Sequence, residues 1–192
     1  MALYRRSEVS KAADVAKRWL HNRESACLWT RAVLLSELPD GKAEALTVSE
    51  ELTRPSASAN DLWFRVFRAI LLRFLGERAQ ALAVCREARR RVDSIPQGYR
   101  EWFQSVFDYF DGTISEEALF KKAGPSKRLQ CAAHFVIGVT RLSGGDRDGA
   151  RKHFSAGVAT RYIEIMPYDW SRAFLARMEK DPTWPPWIPV KP

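Results

Sequence analysis

Apolar residues recur every three or four positions through most of this sequence, which is typical of amphipathic helices. No stretch alternates between apolar and polar residues convincingly enough to predict a strand. The pattern predicts about ten helices, separated by short turns that contain Gly, Asp or Pro. They are expected at residues 8–20, 25–37, 42–53, 61–75, 77–92, 99–110, 116–123, 127–142, from the turn at 144–146 to about 159, and 167–180. The sequence therefore predicts an all-α protein.

Several of these helices begin or end at residues that favour a helix terminus. Ser115 and Ser126 are expected N-caps, because a serine hydroxyl can accept a hydrogen bond from a free amide of the first turn. Gly124 favours the end of the helix that Ser115 begins. Pro167 suits the first turn of the last helix, since its missing N–H is not needed there. These residues support the predicted boundaries in the second half of the chain.

Small residues recur in a common register along the chain. The positions that share it are Ala45, Ala69, Gly76, Ala81, Ala118, Gly138, Gly145, Ala150 and Phe154. Gly138 lies before a tight turn, Ala150 follows that turn, and Phe154 completes an A-x-x-x-F spacing. Small side chains at such positions allow the two helices of a pair to pack about 8–10 Å apart. The register therefore predicts a series of helical hairpins.

The spacing of Gly138, Gly145, Ala150 and Phe154 resembles the tetratricopeptide repeat (TPR) family, in which helical pairs repeat about every 34 residues. The resemblance implies an all-α, right-handed superhelix of antiparallel helix pairs in a single domain at residues 1–180. Its repeats would lie at roughly 26–53, 61–92, 99–124 and 127–159, followed by a cap helix at 167–180. A cap is needed because the last repeat would otherwise expose its apolar face.

The last twelve residues, 181–192, contain five prolines and cannot form a helix. We expect the two tryptophans of this tail to fold back over the cap helix. The alternative is that the tail forms a polyproline ligand for another protein.

In the TPR family the first helices of the pairs line a concave groove that binds a peptide or a helix. The resemblance places candidate groove residues at Trp63, Arg73, Arg100, Phe103 and Phe107. Arginine beside aromatic rings is suited to an acidic or C-terminal group of a peptide. The alternative for the aromatic members is packing in the core. The resemblance therefore implies a protein–protein interaction module, a scaffold or adaptor.

The net charge of +8 leaves a second function open, because a basic surface attracts nucleic acid. The arginines at 86–91 could form a basic stripe with Lys121, Lys122, Lys127 and Arg128. However, the run at 86–91 ends a helix, where cations are stabilised by the helix dipole. No recognition helix or RNA-binding module accompanies it. A protein or peptide partner, favoured by charge if acidic, is the main prediction.

Motifs of catalysis are absent from the sequence. There is no phosphate-binding loop, no dinucleotide-binding glycine pattern, no HExxH and no GxSxG. Cys131 and His134 could share a helix face, and His153 could join them from the next helix, but these do not form a recognised zinc pattern. We therefore expect no enzyme activity, no cofactor and no metal, and interpret these three residues as packing residues.

Composition indicates the class of environment. An apolar fraction of 46% is sufficient for a core, and no apolar run is long enough to cross a membrane. The first residues lack a signal-peptide pattern. Cys27, Cys85 and Cys131 lie far apart, which fits reduced thiols better than disulfides. We expect a cytoplasmic protein that does not bind membranes.

Overall fold

A computed structural model of the chain describes residues 8–12, 25–38, 40–53, 61–91 and 97–189. These residues form nine helices and one helical turn at 9–12, with no strand among them. The helices are α1 (Ser25–Ser36), α2 (Lys42–Glu51), α3 (Asp61–Phe74), α4 (Arg78–Arg89), α5 (Gln97–Phe110), α6 (Glu116–Ala123), α7 (Lys127–Ser143), α8 (Arg147–Ala159) and α9 (Met166–Lys180). The predicted all-α class is confirmed. The rest of the helix predicted at 8–20 lies outside the described residues. No helix in the described part is long and apolar enough to cross a membrane.

The predicted helix termini have the expected chemistry. Ser115 Oγ accepts a hydrogen bond from the amide of Ala118 at 3.2 Å, so Ser115 caps α6. Ser126 caps α7 through the amide of Leu129 at 3.4 Å. Gly124 ends α6 with a φ of +56°, a conformation that a glycine adopts without strain.

Four antiparallel hairpins, α1/α2, α3/α4, α5/α6 and α7/α8, make up most of the fold. In α7/α8 a glycine permits a close approach of the two helices, because a Cβ atom on Gly138 would lie 2.5 Å from Cε1 of Phe154. The register residues Ala45, Ala69, Ala81, Gly138, Ala150 and Phe154 are buried, Ala118 is half-buried, and Gly76 and Gly145 lie in turns. Small residues in this register therefore lie where helices meet or chains turn.

Helices from opposite ends of the chain share one core. The indole of Trp29 in α1 contacts the rings of Phe67, Phe135 and Trp170, with centroid distances of 6.4, 6.1 and 6.0 Å. These rings belong to α3, α7 and α9. In addition, α3 packs against α7, which lies two hairpins further along the sequence. In a linear repeat array each repeat contacts only its neighbours, so these contacts extend beyond that pattern.

The tail after α9 packs on the same core. Trp184 is fully buried, with its ring 5.6 Å from that of Phe74 and 5.1 Å from that of Phe174. The guanidinium of Arg147 donates hydrogen bonds to five carbonyl oxygens within residues 183–189, at 2.7–3.4 Å. The expectation that the tail folds back over the last helix is confirmed for Trp184.

Candidate functional site

An apolar cleft of about 310 Å³ lies between α3, α7 and the start of α9. We call it the α3–α7 cleft. Its walls are Trp63, Phe64 and Phe67 from α3; Arg128, Leu129 and Ala132 from α7; and residues 164–167 at the start of α9. Its volume is at the lower end of the range for ligand pockets, about 300–1,000 Å³. The cleft can therefore accept one or two side chains of a ligand.

Arg128 brings a positive charge to the edge of the cleft. Its guanidinium carbon lies 5.8 Å from the centroid of Trp63 and 5.9 Å from that of Tyr99, within the range of cation–π contacts. Among the described residues it has no hydrogen-bond or ion-pair partner, and its side chain is only half-buried. The two rings thus hold a guanidinium whose N–H donors remain open to a ligand.

Two exposed apolar side chains border the same cleft. Within the described part of the chain, Tyr99 and Ile163 are the large hydrophobic residues with substantial exposure, 39% and 66%. The Tyr99 ring contacts Trp63 edge-on at 6.1 Å, and Ile163 directly precedes the wall residue Glu164. Exposed apolar side chains near a cleft favour an interaction surface there.

The five residues predicted for a groove have different environments. Trp63 lines the cleft, and its ring lies 4.4 Å from that of Phe103. Phe103 and Phe107 are buried in the core, and Arg100 is half-buried. Arg73 is buried, stacks 4.6 Å from the Phe110 ring and donates a hydrogen bond to the Phe110 carbonyl oxygen. Burial lowers the pKa of this guanidinium. Arg73 lies inside the fold and does not line the cleft.

Sequence reasoning placed Arg128 in a basic stripe and missed its position beside the aromatic residues. A signal was present, because Arg128 lies one helical turn before Ala132 and therefore on the same face of α7. Glu164 and its neighbours carried no such signal. They belong to a connection without periodicity, and only the packing of α9 on α7 brings them to the cleft.

A second, more open depression of about 490 Å³ lies between the α1–α2 turn and the tail. Two of its charged groups already have partners: Glu37 pairs with Arg177 at 2.5 Å, and Lys42 pairs with Glu77 at 2.8 Å. The depression therefore belongs to the contact between the tail and the α1–α2 turn. We take the α3–α7 cleft as the candidate site.

The histidines considered in the sequence do meet. His134 of α7 and His153 of α8 face each other, with their Nδ1 atoms 3.3 Å apart. Cys131 is fully buried, and burial raises the pKa of its thiol. Within the described ranges no group of three or more His, Cys, Asp or Glu residues is arranged to hold a metal ion.

The sequence matches no known protein family, and no curated protein matches it significantly. The geometry of the chain itself therefore carries the functional argument.

Proposed function

We propose that this chain is a non-enzymatic interaction module that binds an acidic, apolar peptide segment of a partner protein in the α3–α7 cleft. An apolar side chain of the peptide would occupy the cleft. A neighbouring carboxylate would accept hydrogen bonds from Arg128.

The observation that carries this proposal is the guanidinium of Arg128, held over Trp63 and Tyr99 with open donors beside an apolar cleft. A carboxylate complements a guanidinium in both charge and planar geometry. Aromatic and arginine side chains in partly desolvated pockets contribute much of the binding energy at protein interfaces. The chain's net charge of +8 would also attract an acidic segment.

The position of the cleft also supports a TPR-like origin for the array. Two of its walls come from α3 and α7, the first helices of their hairpins, and the first helices line the groove in that family. On this proposal the array is a short TPR-like superhelix whose ends are joined by α9 and the tail.

The test is a selection from a random peptide library on the full chain, followed by affinity measurements on synthetic peptides. Enriched peptides should carry an Asp or Glu next to a large apolar residue. Replacing that acid by its amide should weaken binding about 10-fold, because a charged hydrogen bond contributes roughly 1.5–3 kcal/mol.

Variants of the chain identify the site. Arg128→Gln should weaken the same peptides about 10-fold, and Trp63→Ala should weaken them further. The matched control is Arg172→Gln, because Arg172 also stacks on an aromatic ring, Tyr168 at 5.8 Å, but does not line the cleft. Peptides that bind all four proteins equally would refute the proposed site.

Nucleic acid is the competing ligand and is tested in parallel. Generic single-stranded RNA and duplex DNA are titrated at several salt concentrations. Binding through phosphates weakens steeply with salt, whereas an apolar peptide with one carboxylate is much less sensitive. Steeply salt-dependent binding that is unaffected by Arg128→Gln, without peptide enrichment, would favour the nucleic-acid function.

A further inference from the structure

The contact between His134 and His153 joins α7 to α8 through their side chains. Their Nδ1 atoms are 3.3 Å apart and their ring centroids 5.4 Å, so the two nitrogens point towards each other. Phe120 of α6 covers both rings, at centroid distances of 4.5 and 6.2 Å. Two nitrogens at this distance can share one hydrogen when one ring carries its proton on Nδ1 and the other presents a lone pair there.

Charged groups from three sides face the pair. Glu116 of α6 places Oε2 3.5 Å from Nε2 of His153, and Arg141 of α7 holds that carboxylate at 2.8 and 2.9 Å. Asp146, in the turn between α7 and α8, pairs with Arg141 at 2.6 Å. Behind them, the Tyr109 hydroxyl of α5 lies 3.3 Å from the other Glu116 oxygen.

The carboxylate sets the tautomers of both rings. An anionic oxygen beside Nε2 of His153 favours a proton on that nitrogen, so Nδ1 of His153 carries the lone pair. Nδ1–H of His134 is then the donor across the 3.3 Å contact. At neutral pH the hydrogen bond therefore runs from His134 to His153, and the Nε2–H of His153 faces the Glu116 carboxylate.

We infer that His134 and His153 form a pH-dependent hydrogen bond between α7 and α8. A first proton reverses the direction of this hydrogen bond, and a second proton breaks it. The first proton binds Nδ1 of His153, which becomes an imidazolium with two N–H groups. His134 then exchanges its Nδ1 proton for one on Nε2 through solvent, and its Nδ1 accepts the bond. A second proton on His134 would place two N–H groups and two positive charges face to face.

The environments of the rings support this order. Burial lowers the pKa of both histidines. Glu116 opposes that effect at His153, whereas the charge of His153 adds to it at His134, whose pKa falls to about 4. Protonation should begin at His153 and end at His134.

The test is nitrogen-15 NMR of the histidine side chains in the full chain between pH 8 and pH 3.5. At pH 8 we expect His134 as the Nδ1–H tautomer, His153 as the Nε2–H tautomer, and a scalar coupling between the two Nδ1 nuclei. The coupling should persist through the first protonation and disappear with the second. This measurement uses the unmodified protein and does not depend on the folding of any variant.

Substitutions test the dependence of one ring on the other. His153→Gln should raise the pKa of His134, because the neighbouring positive charge is removed. His134→Gln should leave His153 titrating in one step. Arg172→Gln, a control on an exposed face of α9, should change neither. Two rings that titrate independently, or two Nε2–H tautomers without coupling at pH 8, would overturn the inference.

Discussion

The indole Nε1–H of Trp187 donates a hydrogen bond of 2.8 Å to the backbone carbonyl oxygen of Phe74. Phe74 is the last residue of α3, where carbonyl groups have no partner within the helix. The ring of Trp187 also packs edge-on against that of Phe74 at 5.2 Å. The proline-rich tail thus completes the end of a central helix, and it behaves as part of the core.

Arg147 should be the residue on which the tail most depends. Arg147→Lys keeps the charge, but one ammonium cannot reach the five carbonyl oxygens that the guanidinium binds within residues 183–189. We expect a loss of about 2–3 kcal/mol in the free energy of unfolding, measured with urea. Arg172→Lys, on an exposed face, should stay within about 0.5 kcal/mol. Equal effects of the two changes would show that the contacts of Arg147 contribute little.

The sequence predicted the hairpins but not which distant helices pack against one another. Periodicity shows which face of a helix is apolar, and it identified Gly138 and Phe154 because both lie in one hairpin. It does not show which distant helix covers that face. The contact between Trp29 and Trp170 joins positions far apart in the chain, and no local pattern encodes such a pairing.

The packing of Gly138 against Phe154 should be intolerant of a single methyl group. In Gly138→Ala the new Cβ atom would meet the Phe154 ring at 2.5 Å. We expect a loss of about 1–3 kcal/mol in stability, as for other overpacked cores. If the clash is the cause, the added cost of Gly138→Ala should shrink in a Phe154→Leu background, which a double-mutant cycle measures. A cost that is the same in both backgrounds would place the cause in the backbone of α7.

Replacing only one residue of the ion pair between Arg177 and Glu37 should lower the stability of the fold substantially. The N–O distance is 2.5 Å, and the side chain of Glu37 is 3% exposed. Arg177→Met would remove this cation from a buried carboxylate, with an expected loss of about 3–5 kcal/mol. The double variant Arg177→Met, Glu37→Leu should recover most of this loss in thermal unfolding. A double variant as unstable as the single one would contradict the role assigned to this ion pair.

The buried thiols should be unreactive in the folded chain. Burial raises the pKa of Cys85 to about 12 and also raises that of Cys131, and the thiolate is the reactive form. A disulfide reagent should therefore modify both residues slowly at pH 8, with little acceleration at pH 9. In denaturant all three cysteines should react rapidly. Fast modification of Cys85 in the native protein, located by mass spectrometry, would show that this part of the core opens readily.

For the candidate site, the sequence predicted the type of chemistry but not the residue that supplies it. The chemistry predicted for the groove, an arginine beside aromatic rings, is present in the cleft, but Arg128 supplies it. Arg73 fits the same helical register, yet its side chain turns inward to the carbonyl of Phe110. Register assigns a residue to a face, whereas the direction of a long flexible side chain depends on the partners that tertiary packing provides.

Acid should weaken the fold through the histidine pair. The pKa of His134 is lowered from 6.5 to about 4. Between these pH values His134 therefore binds more protons in the unfolded chain than in the native one. Its contribution to stability is therefore present above about pH 6.5 and is lost as the pH falls towards 4. A shift of this size corresponds to roughly 3 kcal/mol, and because the ring is only partly buried we expect an effect of about 1–2 kcal/mol.

Because carboxyl groups titrate in the same range, the informative quantity is the difference between variants. Urea unfolding from pH 7.5 to pH 4 should show a steeper loss for the unmodified chain than for His134→Gln, which is less stable at neutral pH but lacks the titrating ring. Arg172→Gln, on an exposed face of α9, should follow the unmodified chain. If all three proteins lose stability in parallel, the acid sensitivity comes from the carboxyl groups, and the pair of histidines has no part in it.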